Sequence, residues 1–134
     1  MRFLVTTLML LVLAGCSHRQ RERQGNLAGY ITVGPEHVGF QACGSDRAWW
    51  LADTRSDGWS KAQRILDSQP ECDLPNADHC VPQEVYVEAD GAVSELGTYG
   101  HMGIYQREVR LAHLYAAERT GPPGCGRVAP HWGP

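Results

Sequence analysis

The sequence predicts a small, mainly β domain with one helix, placed behind an exported N-terminal segment. Short runs of β-branched and aromatic residues recur along much of the chain and are separated by glycine, proline and aspartate. One further segment repeats its apolar residues every three or four positions, as a helix does. With 134 residues, the chain has room for a single core.

The first half of the domain predicts three short strands, at residues 30–33, 38–43 and 48–52. They are rich in strand-forming side chains, and glycine-containing turns follow the first two. Neighbouring residues of a strand face opposite sides of the sheet. Therefore only one of Trp49 and Trp50 can point into a one-sided core.

A helix is predicted over residues 59–69. Apolar or long side chains recur there at helical spacing, at Trp59, Ala62, Ile65, Leu66 and Gln69. Asp57 or Ser60 is expected to cap its first turn, and Pro70 to end it. A proline-containing loop, residues 70–82, follows.

The second half predicts two or three more strands. Val85, Val87 and Ala89 alternate with polar residues, and Asp90-Gly91 predicts a hairpin turn from which residues 92–96 return. The last strand is expected at residues 106–115. Five or six short strands with a helix between the third and fourth are typical of the small oligonucleotide/oligosaccharide-binding (OB) type of barrel, closed or partly open. An irregular antiparallel β-sandwich remains the alternative.

A glycine-spaced segment, with Gly97, Gly100 and Gly103, surrounds Tyr99, His101 and Met102. We expect these three side chains to form a ligand loop, because loops on a rigid scaffold often carry function. His101 and Met102 are also side chains that copper accepts in exported proteins. The chain has neither a CxxC nor an HxxxH spacing, so no metal site and no cofactor are expected.

Catalysis is not expected either. No serine stands in a Gly-x-Ser-x-Gly context, and the scattered carboxylates define no catalytic pair. A set of aromatic residues offers stacking faces for a ligand on the sheet, although strand aromatics more often form the core. The set comprises Tyr30, Phe40, Trp49, Trp50, Tyr86, Tyr99 and Tyr105.

Charge is divided unevenly along the chain. Of the 12 basic and 15 acidic side chains, 8 and 14 lie beyond Gly25, which gives that part a net charge of −6. Nucleic-acid binding usually rests on clustered basic side chains. No nucleic-acid partner is therefore expected.

The N-terminal segment resembles that of bacterial lipoproteins. An apolar run follows Arg2 and ends in Leu13-Ala14-Gly15-Cys16, which is similar to the lipobox of that family. The resemblance implies removal of residues 1–15 as a signal peptide, lipid modification of Cys16 and anchoring to a membrane by acyl chains. Ser17 after the cysteine implies the outer membrane. Residues 16–26 are then a flexible tether, residues 27–117 the β-rich domain and residues 118–134 a glycine- and proline-rich tail.

If Cys16 carries lipid, four cysteines remain, consistent with two disulfides in an oxidising compartment. We favour Cys72 with Cys80, which share one short loop, and Cys43 with Cys125 by elimination. Free thiols or a metal site are the alternatives.

These patterns together predict a lipid-anchored, non-enzymatic module that binds an envelope protein or a small ligand. The alternative is a copper-binding or stress-sensing lipoprotein that uses His101 and Met102. The chain is distantly similar in plan to the copper-associated envelope-stress lipoproteins, but it lacks their CxxC motif.

Overall fold

The computed structural model describes residues 23–35, 37–70 and 81–126. These residues form five strands, one α-helix and a short 3₁₀ turn at His101–Gly103. The elements are β1 (Arg23–Gly34), β2 (His37–Ala42), β3 (Trp49–Asp53), α1 (Trp59–Asp67), β4 (Gln83–Val93) and β5 (Glu108–Glu118).

The strands close into a barrel in the order β1, β2, β3, β5, β4 and back to β1. All neighbours are antiparallel except β3 and β5, which run parallel. The mainly β class, the single helix and the small barrel are therefore confirmed, and α1 lies between the third and fourth strands as in the OB type of barrel.

The ring is uneven. β1 pairs with the whole length of β4, from Arg23 opposite Val93 to Val33 opposite Gln83. In contrast, β3 pairs with β2 only at Trp49 and Trp50. The wall formed by β1, β4 and β5 is thus broad, and the wall around β3 is narrow.

The core fills the barrel with side chains from alternate strand positions. The largest fully buried side chains are Phe40, Ile31, Val85, Val87 and Val109. Burying each of them contributes about 1.5–3 kcal/mol relative to exposure. Trp49 packs against this core while Trp50 contacts Tyr105 instead, as the alternation of strand side chains predicts.

Helix α1 buries Ala62 and Leu66, but its start differs from the prediction. No side chain caps it; the N-cap is Gly58, at φ 81°. A Cβ on Gly58 would lie 2.6 Å from the carbonyl oxygen of Leu114 in β5. The close approach of this turn to β5 therefore requires glycine, and the carboxylate of Asp57 contacts His113 instead.

The hairpin turn predicted at Asp90-Gly91 is wrong, because β4 continues through both residues to Val93. β1 is long enough to pair with β4 throughout, so the alternation of buried residues persists past Gly91. The pairing with β5 shifts register between Asp90 and Gly91. A Cβ on Gly91 would lie 2.6 Å from the Arg110 carbonyl oxygen, so this glycine marks a close strand approach and not a turn.

The first and last strands extend beyond the predicted strand segments. β1 begins at Arg23, before the predicted strand at residues 30–33, and so includes residues 23–26 of the segment expected as the tether. β5 ends at Glu118, beyond the predicted end at residue 115.

Candidate functional site

The predicted ligand loop, Gly97 to Gly103, lies within residues 94–107, which connect β4 to β5 and which we call the β4–β5 loop. Backbone hydrogen bonds pair its two arms. Gly97 N donates to Gln106 O at 3.0 Å, and Tyr99 and Tyr105 exchange two bonds of 2.9 and 3.3 Å. The loop is thus a small hairpin that extends from the barrel end.

His101 and Met102 lie together at the tip of this hairpin, and both side chains are exposed. Met102 has φ 57°, and it is the one residue other than glycine with a positive φ in the described part of the chain. Residues other than glycine seldom adopt this conformation, which costs on the order of 1 kcal/mol or more. Met102 therefore adopts this backbone conformation at an energetic cost.

The loop packs on β3. The rings of Trp50 and Tyr105 have centroids 5.5 Å apart, and Gly100 lies against both rings. A Cβ at Gly100 would come within 2.7 Å of the Trp50 ring. Burial raises the pKa of the Tyr105 hydroxyl. Trp50 and Tyr105 therefore support the loop, whereas Phe40 and Trp49 of the aromatic set contribute to the core.

Three large apolar side chains of the loop point into solvent. Leu96 is 68%, Met102 84% and Ile104 42% exposed. Only Met102 was predicted from the sequence. The signal for the other two was present, since Leu96 and Ile104 directly flank the glycine-spaced segment.

A groove of about 530 Å³ runs across the outer surface of β1, β4 and β5, beside the base of this loop. Small residues and one leucine form much of it, and three polar side chains stand along it. Its lining residues are Gln24, Gly25, Asp90, Gly91, Ala92, Arg110, Leu111 and Ala112. This volume and mixed lining are typical of small-molecule sites. The groove was not predicted, because the register that assembles it joins distant segments.

A chain of polar contacts lies next to the groove. His113 Nδ1 is 2.8 Å from Asp57 Oδ2, and the His113 ring packs edge-on against Tyr115 at 4.7 Å between centroids. The Tyr115 hydroxyl donates to Asp90, and this hydrogen bond, together with desolvation, raises the pKa of Tyr115. The contacts tie the turn before α1 to β5 and then to β4.

The C-terminal segment packs over Tyr30 of β1 and Tyr86 of β4, away from the groove. Cys43 and Cys125 form a disulfide, which confirms the pairing expected for them. Gly121 N donates to the Tyr30 hydroxyl at 2.9 Å, and Tyr86 lies under the same segment. Burial, assisted by the hydrogen bond to Glu88, raises the pKa of Tyr86 to about 12. Tyr30 and Tyr86 thus pack beneath the tail and offer no stacking face.

The remaining predicted residues are not brought together. Cys16, Cys72 and Cys80 lie outside the described residues, so the second disulfide stays a prediction. His37 lies in β2, where burial lowers its pKa, at a distance in the fold from the loop that carries His101. Within residues 23–35, 37–70 and 81–126, no three histidine, cysteine or carboxylate side chains are grouped as a metal site would need.

No helix in the described part of the chain is sufficiently long and apolar to cross a bilayer. Comparisons of the chain with protein-family models, with curated proteins and with solved structures find no match.

Proposed function

We propose that this protein is a bacterial envelope lipoprotein whose mature chain begins at an acylated Cys16 and carries a non-enzymatic binding module. The proposal is carried by the Leu13-Ala14-Gly15-Cys16 sequence ahead of a barrel that begins at Arg23. The Cys43–Cys125 disulfide supports export, because such bonds persist in oxidising compartments. Ser17 favours the outer membrane, with the barrel in the periplasm.

The binding site in this proposal is the groove across β1, β4 and β5. Its occupant is a small ligand with an apolar body that rests against Ala92 and Ala112. The polar part of the ligand lies near Asp90 and Arg110. Both of these groups already have intramolecular partners, since Tyr115 donates to Asp90 and Arg110 pairs with Glu108 at 2.7 Å. Such partners hold the charged groups in fixed positions, which lowers the cost of ordering them on binding.

The anchor is tested by metabolic labelling with radioactive palmitate in a Gram-negative host. We expect the wild-type chain to incorporate label and to fractionate with membranes, and the Cys16→Ser variant to do neither. The Cys43→Ala/Cys125→Ala double variant is the matched control and should keep its label. Equal labelling of wild type and Cys16→Ser would contradict the proposed anchor.

The groove is tested by native mass spectrometry of the protein purified from membranes. We expect the wild type to carry a bound small molecule, and Ala112→Trp, which fills the groove, to lose it. Ala52→Trp is the control, because Ala52 is an exposed alanine on β3, outside the groove. Retention of the same molecule by Ala112→Trp, or a wild type without one, would speak against this site.

A further inference from the structure

We propose that the tip of the β4–β5 loop is a second, non-covalent contact with the membrane that holds Cys16. The occupant of this apolar surface is the headgroup and upper acyl region of that bilayer. The inference rests on the proposed lipid anchor and adds to it an orientation of the barrel on the membrane.

The register places the loop on the membrane side. Arg23 pairs with Val93, and Val93 pairs with Val109, so the three residues form one row across β1, β4 and β5. β1 and β4 are antiparallel. The chain before Arg23 and the chain after Val93 therefore leave the barrel at the same end, and the loop extends from the end at which the anchor segment arrives.

The distance to the anchor is short. Six residues, 17–22, separate Cys16 from Arg23. A chain spans at most about 3.6 Å per residue, so the Cα atoms of Cys16 and Arg23 lie within about 25 Å of each other whatever conformation the segment adopts. Acyl chains on Cys16 keep this end of the barrel close to the headgroups.

The chemistry of the β4–β5 loop suits an interface with lipid. Leu96, Met102 and Ile104 expose apolar side chains, and His101 is the one titratable side chain between Glu95 and Arg107 apart from the tyrosine hydroxyls. Proteins that lie on a membrane bury apolar side chains of this kind at the boundary between headgroups and acyl chains. Exposing them to water instead would be unfavourable.

Charge favours the same orientation. The segment that leads into β1 carries Arg19, Arg21 and Arg23 against one acid, Glu22. The chain beyond it is strongly acidic. Anionic lipids attract basic segments near the surface and repel the acidic body, so the barrel end that carries β1's first residue turns toward the membrane.

The experiment uses the mature chain, acylated at Cys16 in a bacterial host and reconstituted into vesicles of phosphatidylethanolamine and phosphatidylglycerol. A photo-crosslinking residue, benzoylphenylalanine, replaces Met102 in one variant and Val81 in another. Val81 is the matched control, because it is apolar and 80% exposed but precedes Gln83 at the opposite end of the barrel. We expect several-fold more lipid adduct from position 102 than from position 81.

Equal lipid adducts at positions 102 and 81, on a chain whose Cys16 is shown by mass to be acylated, would overturn the loop contact and leave the anchor intact. A chain without acyl groups on Cys16 would overturn both proposals. Irradiating the same variants in native envelopes tests whether the loop contacts a protein instead of lipid. An adduct of position 102 with a protein and none with lipid would contradict the inference.

Discussion

Arg23, the first residue of β1, pairs with Val93, the last residue of β4. This pair closes the barrel beside the base of the β4–β5 loop, since Ser94 N next donates to Glu108 O at 2.9 Å. The entry of the chain, the exposed loop and the groove are therefore neighbours at one end of the molecule. An anchor on Cys16 would therefore set the orientation of the chain entry, the loop and the groove relative to the membrane.

Removal of the disulfide should lower the free energy of unfolding substantially. Cys43 and Cys125 are 82 residues apart, and a cross-link over that separation destabilises the unfolded chain by about 4.5 kcal/mol in the loop-entropy model. Urea titration of the Cys43→Ala/Cys125→Ala variant measures the change. An unfolding midpoint equal to that of the oxidised wild type would show that the bond contributes nothing.

The Gly100→Ala substitution should destabilise the loop and its support on β3. Gly100 has φ 71°, and the new Cβ would lie 2.7 Å from the Trp50 ring. We expect a loss of about 1–3 kcal/mol from the strained backbone and the displaced ring. Thermal or urea unfolding measures it.

Gly44→Ala is the matched control for Gly100→Ala. Gly44 has φ 75°, but a Cβ there meets nothing within 4 Å. This variant should therefore lose only the backbone contribution, about 1 kcal/mol. If the two variants lose equal stability, the contact between Gly100 and Trp50 carries no energy.

Met102→Gly should be more stable than the wild type by roughly 0.5–1 kcal/mol. Glycine relieves the left-handed conformation at this position, and little is lost in water because the methionine side chain is exposed. The midpoint of urea unfolding tests this. A variant less stable than the wild type would mean that the methionine side chain makes stabilising contacts.

Stability should fall in alkaline solution partly because of Tyr86. Its pKa is raised to about 12 in the folded protein, so the folded state favours the protonated hydroxyl. Below the ordinary tyrosine pKa, about 10, both states are protonated and this contribution is complete. As the pH rises through that value toward 12, the unfolded chain ionises first and the contribution is lost.

The measurement is the unfolding midpoint at about pH 9 and about pH 11, in the wild type and in Tyr86→Phe. The wild type should lose more stability across this interval than the variant. Burial also raises the pKa of Tyr105 and a hydrogen bond raises that of Tyr115, so the variant keeps part of the dependence. Parallel losses in both proteins would contradict the assignment to Tyr86.

Features that depend on neighbouring residues were predictable from the sequence. The alternation of Val85, Val87 and Ala89 placed the core of β4, and the spacing of Ala62 and Leu66 placed α1. The number of strands and the position of the helix were then enough to predict the class of barrel. Each of these signals is a local periodicity, which can be recognised in the sequence without knowledge of the fold.

Features set by distant contacts were not predictable. Asp90-Gly91 has the local chemistry of a turn, yet pairing with β1 extends the strand through it. Asp57 has the chemistry of a helix cap, yet its carboxylate contacts His113, 56 residues away. The groove likewise depends on the register of three strands, which a single sequence does not display.

The anchor on Cys16 is tested most directly by the intact mass of the protein isolated from host membranes. We expect a chain that lacks residues 1–15 and carries a diacylglyceryl group and an N-terminal acyl group on Cys16. A full-length chain of 134 residues, or one cut elsewhere with Cys16 unmodified, would contradict it.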